Sequence, residues 1–162
     1  MEDHGSPALR RLMDAVPGAV EETHAHVGDA TAVVAAEKIG DVLGFLRDDP
    51  ELEFDMLTDL CAVDRLPRSP RFEVVYHLYS VPINQRVRIK ARVSEEDPEI
   101  ESVVQLFASA DWMEREVFDL YGIRFRNHPD LRRILLYEEF EGHPLRKDYP
   151  KERRQPLVGP RN

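Results

Sequence analysis

The densest run of side chains able to do chemistry lies between residues 112 and 149. Glu114-Arg115-Glu116 looks at first like a carboxylate pair for acid–base work. On a helix, however, residues two apart point to nearly opposite sides, so these two cannot share a proton or a substrate. Arg115 and Asp119 stand at i, i+4 and are expected to pair along the helix surface. Trp112, Phe118 and Tyr121 are expected to supply aromatic core. Beyond them the cations Arg124, Arg126, Arg132, Arg133, Arg146 and Lys147 are interleaved with aromatics and prolines. Seven of the chain's 13 aromatic residues fall between Trp112 and Tyr149, too many for a hydrated, unstructured tail. This stretch must lie on a surface. Packing on its own domain is one possibility, but arginines and entropy-poor prolines in a 39-residue belt weigh towards a partner.

Other catalytic signatures are missing. The sequence has no glycine-rich phosphate loop, dinucleotide fingerprint, G-x-S-x-G, H-E-x-x-H or Cys-x-x-Cys motif. His24 and His26 would share a strand face and form half a metal site at most, since such sites need further ligands from other elements. A surface pair is the better reading. Cys61 is the only cysteine, which excludes an internal disulfide and a cysteine-ligated iron–sulfur cluster. With no histidine near it in sequence, it reads as a small buried hydrophobe rather than a nucleophile.

Several elements must position these residues. Ser6-Pro7 followed by Leu9, Leu12, Met13 and Val16 predicts a capped amphipathic helix within residues 1–18. Residues 20–27 and 30–35 flank Gly28-Asp29 as a hairpin, and residues 37–48 form a second helix closed by Pro50. Residues 54–63 are expected to open with a helical turn and continue as a strand. Residues 72–79 and 86–93 form a second hairpin, the latter strand placing Arg86, Arg88, Lys90 and Arg92 on one wet face. Ile100, Val103, Val104 and Phe107 repeat at helical spacing after acidic residues and predict a third helix. A last helix, 112–121, would be capped by Asp111 and ended by Gly122. The expected fold class is α+β: a small, mostly antiparallel sheet with helices packed on one side, followed by an extended C-terminal arm.

Charge divides the chain at the same place. The 162 residues carry a net charge of -9, yet residues 1–123 stand at -13 and residues 124–162 at +4. That overall acidity argues against a general nucleic-acid or anionic-membrane binder. No targeting segment or bilayer-length apolar run is visible, so any membrane association would come through a partner. The organisation expected is an N-terminal helix (1–18), an α+β domain (19–123) and an arm for contacts with other subunits (124–162).

Three blocks make a resemblance specific. Glu114-Arg-Glu-Val-Phe-Asp-Leu-Tyr-Gly-Ile-Arg-Phe125, His128-Pro-Asp-Leu-Arg-Arg-Ile-Leu135 and Gly142-His-Pro-Leu-Arg-Lys-Asp-Tyr-Pro150 occur in order. They resemble the signature of the 30-kDa subunit family of respiratory complex I, the C-type subunit of bacterial NADH:quinone oxidoreductases. The stretch 60–64 and the strand at 72–79 are similar to the family as well, so the likeness runs from about residue 30 onward. It implies a non-catalytic peripheral-arm subunit that itself holds no cofactor. FMN, iron–sulfur clusters and quinone would reside in partner subunits of an enzyme that couples electron transfer to proton translocation. The partners implied are the 49-kDa-type quinone-site subunit and its peripheral-arm neighbours, on the cytoplasmic side of the membrane, with no nucleic acid. Glu114, Arg115, Glu116, Asp119, Tyr121, Arg132, Arg133, His143, Arg146, Lys147 and Asp148 would then be structural or interface residues. Equivalent subunits of a membrane-bound hydrogenase, a deazaflavin-dependent dehydrogenase or the photosynthetic complex-I-like enzyme are rivals. A free-standing anion- or RNA-binding module is the reading from another class. Truncation after Ile123 is expected to leave a folded domain that no longer assembles.

Overall fold

A computed structural model of the chain describes residues 2–156. Helix α1 (Pro7–Ala15) begins as its sequence dictates, with the Ser6 hydroxyl accepting from the Leu9 N–H at 3.4 Å and proline in the first turn. Its buried Ala8, Leu9 and Leu12 join the core beside α2 (Ile39–Asp48), whose Ile39, Val42, Leu43 and Leu46 are fully buried. Arg11 fastens the two helices by donating to Asp49 at 2.7 Å and to Glu51 at 2.8 Å.

Five strands form the sheet: β1 (Val20–His24), β2 (Thr31–Val34), β3 (Met56–Asp64), β4 (Phe72–Ser80) and β5 (Gln85–Val93). Their order is β1-β2-β5-β4-β3, antiparallel throughout except for the parallel β2–β5 pair. The period of two sorts the side chains. Val87, Ile89, Ala91 and Val93 of β5 stand opposite Leu78, Tyr76, Val74 and Phe72 of β4, and all are buried with the helices. The other face carries the cations expected from β5, but three of them are paired. Arg88 meets Asp29 at 2.9 Å, Lys90 meets Glu73 at 3.0 Å and Arg92 meets Glu22 at 2.7 Å. The fold is α+β, as the sequence predicts.

Several local expectations need correction. Residues 100–107 are not a helix. Glu99–Glu101 is a short strand, β6, paired in parallel with β7 (Arg124–Arg126), and Ile100 faces Phe125. The apolar spacing there serves a buried strand and turn, with Ile100, Val103 and Phe107 in the core, rather than one helical stripe. No helical turn opens residues 54–63, because β3 is continuous from Met56 apart from an irregularity between Leu57 and Asp59. Gly28-Asp29 is not a tight hairpin turn, since a 3₁₀ turn over His26–Gly28 with Val27 at φ 60° intervenes between β1 and β2.

The last helix, α3 (Ala110–Tyr121), starts one residue before Asp111, which therefore lies in its first turn rather than at the cap. Gly122 ends α3 in the left-handed conformation, as expected. Trp112 is not core: it is 70% exposed. Strand β7 lies within the range expected for the arm, and Phe125 is buried in the core. The arm's last residues, 157–162, fall outside the described residues. Among the described residues, no helix is long and apolar enough to cross a membrane.

Candidate functional site: the seat of the C-terminal arm

The residues singled out by sequence converge on α3 and the arm, but through different pairings from those expected. Asp119 does not bond Arg115. Its carboxylate, fully buried, takes the Arg133 guanidinium at 2.6 Å and the backbone N–H groups of Ile134, Leu135 and Leu136 at 3.1, 2.9 and 2.8 Å. Burial pushes this carboxyl up, but the three amides and Arg133 together overcome it and hold the group below its ordinary range. Arg115 instead donates to the carbonyls of Arg132 and Arg133, at 3.1 and 3.2 Å. One turn of arm is thereby clamped to one face of the helix by both a cation and an anion.

The third block closes over the end of α3. His143 Nδ1 lies 2.9 Å from the Asp119 carbonyl, Arg146 donates to the Tyr121 carbonyl at 2.6 Å, and the Leu145 N–H donates to the Leu120 carbonyl at 3.1 Å. The last turn of a helix leaves carbonyls without intrahelical donors, and here the arm supplies them. Gly122 is required twice over. It sits at φ 74°, and a Cβ there would stand 2.5 Å from His143 Nε2 and 2.8 Å from an Arg146 terminal nitrogen. Burial pushes both His143 and Arg146 down from their ordinary values. The Arg146 guanidinium lies over the Phe72 ring at 5.1 Å, and Arg71 also lies 5.1 Å from that ring.

A second knot joins the arm to the sheet edge. Arg71, nearly fully buried, donates two bonds to Asp64 at 3.1 and 2.7 Å and further bonds to Asp148 and Glu95. Asp64 also accepts from the backbone N–H of Lys147 at 2.8 Å, while the Lys147 ammonium reaches the Leu66 carbonyl at 3.0 Å. Burial raises the Asp64 carboxyl, yet the Arg71 bonds and the Lys147 and Leu66 amides drive it far below the usual carboxylate range. Arg71 is not singled out by sequence because it is one of three arginines, with Arg65 and Arg68, around a proline-containing turn, and its partners lie up to 77 positions away. The only signal is indirect: Asp64 is an acidic residue ending the apolar run from Leu60 to Val63.

Glu114 is held apart from these knots. Fully buried, it accepts the Ser102 hydroxyl at 2.6 Å and the Val103 N–H at 2.7 Å, with His128 Nε2 4.0 Å away. Those bonds pull its pKa down less than burial pushes it up, leaving it at about 7. The buried Tyr76 hydroxyl has no hydrogen-bond partner, and burial together with the charge of Glu114 raises its pKa well above the ordinary value. Of the remaining expected residues, Glu116 and Arg132 are exposed; Arg132 pairs with Asp130 at 2.9 Å.

These arrangements tie one segment of the chain to another. Among the described residues, no group of three or more His, Cys, Asp or Glu is arranged to hold a metal ion, and the His24 and His26 rings lie 4.6 Å apart. Burial, followed by Asp59, pushes the Cys61 thiol up, away from the reactive thiolate.

The comparisons with known proteins agree with the three blocks. The family described as respiratory-chain NADH dehydrogenase, 30 Kd subunit, matches residues 32–155. A C-type subunit of NADH-quinone oxidoreductase from Trichlorobacter lovleyi is 50% identical over 155 residues, covering 94% of each chain. Another, from Roseiflexus sp. strain RS-1, is 50% identical over 142 residues, 88% of this chain and 82% of the relative. Among solved structures, a trypsin-resistant fragment of Nqo5 superposes with a TM-score of 0.67 at 32% identity, covering 76% of this chain and 99% of the fragment. A chain of a membrane-bound sulfane sulfur reductase, an archaeal respiratory membrane complex, shares the fold with a TM-score of 0.76 at 23% identity, over 91% of this chain and 86% of that one. The chain belongs to the 30-kDa subunit family of respiratory-chain NADH dehydrogenases.

Proposed function

We propose that the chain is a non-catalytic subunit of an NADH-quinone oxidoreductase, needed for its assembly and stability. In such an enzyme electrons would pass from NADH through flavin and iron–sulfur clusters to quinone in the neighbouring subunits, coupled to proton translocation. The observation that carries this reading is the 50% identity to a C-type subunit of NADH-quinone oxidoreductase over nearly the whole chain. It favours a quinone oxidoreductase over a hydrogenase or deazaflavin-dependent relative. The 49-kDa-type quinone-site subunit is the partner we assign, with the chain on the cytoplasmic side of the membrane and attached to it only through the complex.

The geometry changes how the arm would contribute. Its aromatic and cationic residues through residue 150 are largely engaged by their own domain, contrary to the expectation that a partner receives them. Glu114, Asp119, Arg133, His143 and Arg146 are read as structural, fixing the arm's path. Arg132, Glu116 and the outer faces of Lys147 and Asp148 are exposed and are read as interface residues. The expectation that truncation after Ile123 leaves an intact domain changes too, since that cut removes β7 and buried Phe125 and strips Asp119, Asp64 and Arg71 of partners. The test is purification of the tagged chain from its native membranes. Recovery of the 49-kDa-type subunit and rotenone- or piericidin-sensitive NADH:quinone activity is expected; recovery with a hydrogenase-type large subunit instead would overturn the assignment.

A further inference from the structure

We propose that the free edge of β3 and the groove between it and α3 receive an extended segment of a partner subunit whose side chains are basic and apolar. The proposal rests on the chain being a subunit of a larger enzyme, and it locates a docking surface distinct from the arm. Strand β3 is the last strand of the sheet, and among the described residues 58–63 make no backbone-to-backbone hydrogen bond outside the β3–β4 ladder. A six-residue stretch of edge left open is a template for another strand, which natural proteins normally cover, shorten or break.

Alongside this edge runs a groove of about 150 Å³. Its strand wall is built from four consecutive residues, Asp59, Leu60, Cys61 and Ala62. Successive side chains of a strand point to opposite faces, so four in a row line one groove only if the groove follows the strand's edge. The opposite wall includes Met113, Glu116 and Leu120 of α3, and Leu145 of the arm is also part of the lining. Trp112, 70% exposed, stands one turn before Glu116 on the same helix face. Such a large aromatic left in water on the helix that walls the groove is the residue type that anchors interfaces.

Charge selects the occupant. Asp59 and Glu116 both line the groove and are exposed, Asp59 from the strand face it shares with His77 and Glu116 from α3, and neither forms an ion pair with a cation among the described residues. This contrasts with β5, where three exposed-face cations each have a carboxylate partner. A strand added at this edge would alternate its side chains, so that those towards α3 meet Met113 and Leu120 with a Lys or Arg at Glu116, while a Lys or Arg directed to the other face meets Asp59.

Cys61 makes the site testable because it is the chain's only cysteine and lies in the groove wall. The full-length chain alone and the tagged, membrane-purified enzyme containing it are treated with N-ethylmaleimide, and modification of Cys61 is followed by mass spectrometry. Recovery of the unmodified enzyme tests subunit membership separately. Modification at least about tenfold slower in the complex is expected, as for a thiol covered by a partner. In a second arm, Asp59→Arg with Glu116→Arg should cut the chain's retention in the complex about tenfold or more, and Asp59→Asn with Glu116→Gln should cut it less. Both positions are exposed, and the melting temperature of the isolated full-length chain reports whether its fold is intact. Equal modification rates in the free and assembled chain, or full retention of the folded charge-reversed variant, would overturn the proposal.

Discussion

Helix α3 buries two carboxylates five residues apart, and they are held in opposite ways. Asp119 sits among four donors, one of them the Arg133 guanidinium, and its pKa is held below the ordinary value. Glu114 has two donors, a hydroxyl and one amide, and its pKa rises to about 7. Neither side chain is open to water, but Glu114 lies deeper in the protein than Asp119, and its larger burial penalty meets only two neutral donors. The charge state is set by the depth of burial weighed against the number and charge of the donors. The consequence is a division of labour along one helix. Asp119 is an anion around which a turn of the arm is organised. Glu114 is an acid that titrates near pH 7 and closes the turn leading into the helix.

The largest test of this contrast is Asp119→Ala. It would leave Arg133 and three amides without their acceptor and should cost about 4 kcal/mol, or roughly 10 °C in melting temperature for a chain of this size, read by calorimetry at pH 7. A loss below ~1 kcal/mol would mean that the arm's turn forms without its anion. Glu114→Gln should move stability the other way, and only in one pH range. The folded group binds a proton more tightly than the unfolded one, so the burial cost is absent below the unfolded value of 4.5 and is complete above about 7. At pH 8 the substitution should therefore stabilise the protein by up to about 3 kcal/mol, with little change near pH 4. Equal effects at both pH values would show that Glu114 does not titrate in this range.

Asp119 gives the opposite slope. Its folded pKa lies below 3.8, so its contribution is complete above that value and disappears as pH falls through the folded pKa. In chemical denaturation the stability difference between wild type and Asp119→Asn should be full near pH 7 and narrow only as the pH falls below 3.8. Gly122→Ala should cost about 2 kcal/mol, from the left-handed backbone together with the displacement of His143 and Arg146. It should also raise protease cleavage between residues 136 and 150, because the arm loses its closest approach to α3. The smallest effect is expected at Arg132. Arg132→Ala removes an exposed cation and should leave the melting temperature within about 1 °C, while lowering recovery of the assembled complex if that face is an interface.

Legibility in the sequence followed the range of the interaction. The α1 cap at Ser6, the Ile39–Leu46 stripe of α2, the β4–β5 hairpin and the Gly122 stop are set by residues within a turn or a strand of one another, and the structure agrees with the sequence at each. Residues 100–107 failed because Ile100, Val103 and Phe107 suit a helix and a buried turn equally well. The choice fell to Glu114, which occupies the Ser102 hydroxyl and the Val103 amide from eleven to twelve positions away. Trp112 was misplaced because aromatic bulk on a helix says nothing about which face has a neighbour. The pairing of Arg115 with Asp119 failed for a related reason. A solvent-exposed i, i+4 pair contributes ~0.5 kcal/mol or less, and each partner gained more from the arm's backbone.

The sequence by itself determined the family, through three motif blocks, and the α+β class, through two hydrophobic periods. It also determined that positive charge concentrates in residues 124–162 and aromatics between Trp112 and Tyr149. Only the tertiary structure decided where those residues go. Arg71 finds Asp148 across 77 positions, and Gly122 must be bare because His143 and Arg146 come to rest on it. Local pattern reports which residues need a partner, because burying an unpaired charge or amide is costly whatever the fold. Which partner meets that need is decided when distant segments compete for the same few donors and acceptors in three dimensions.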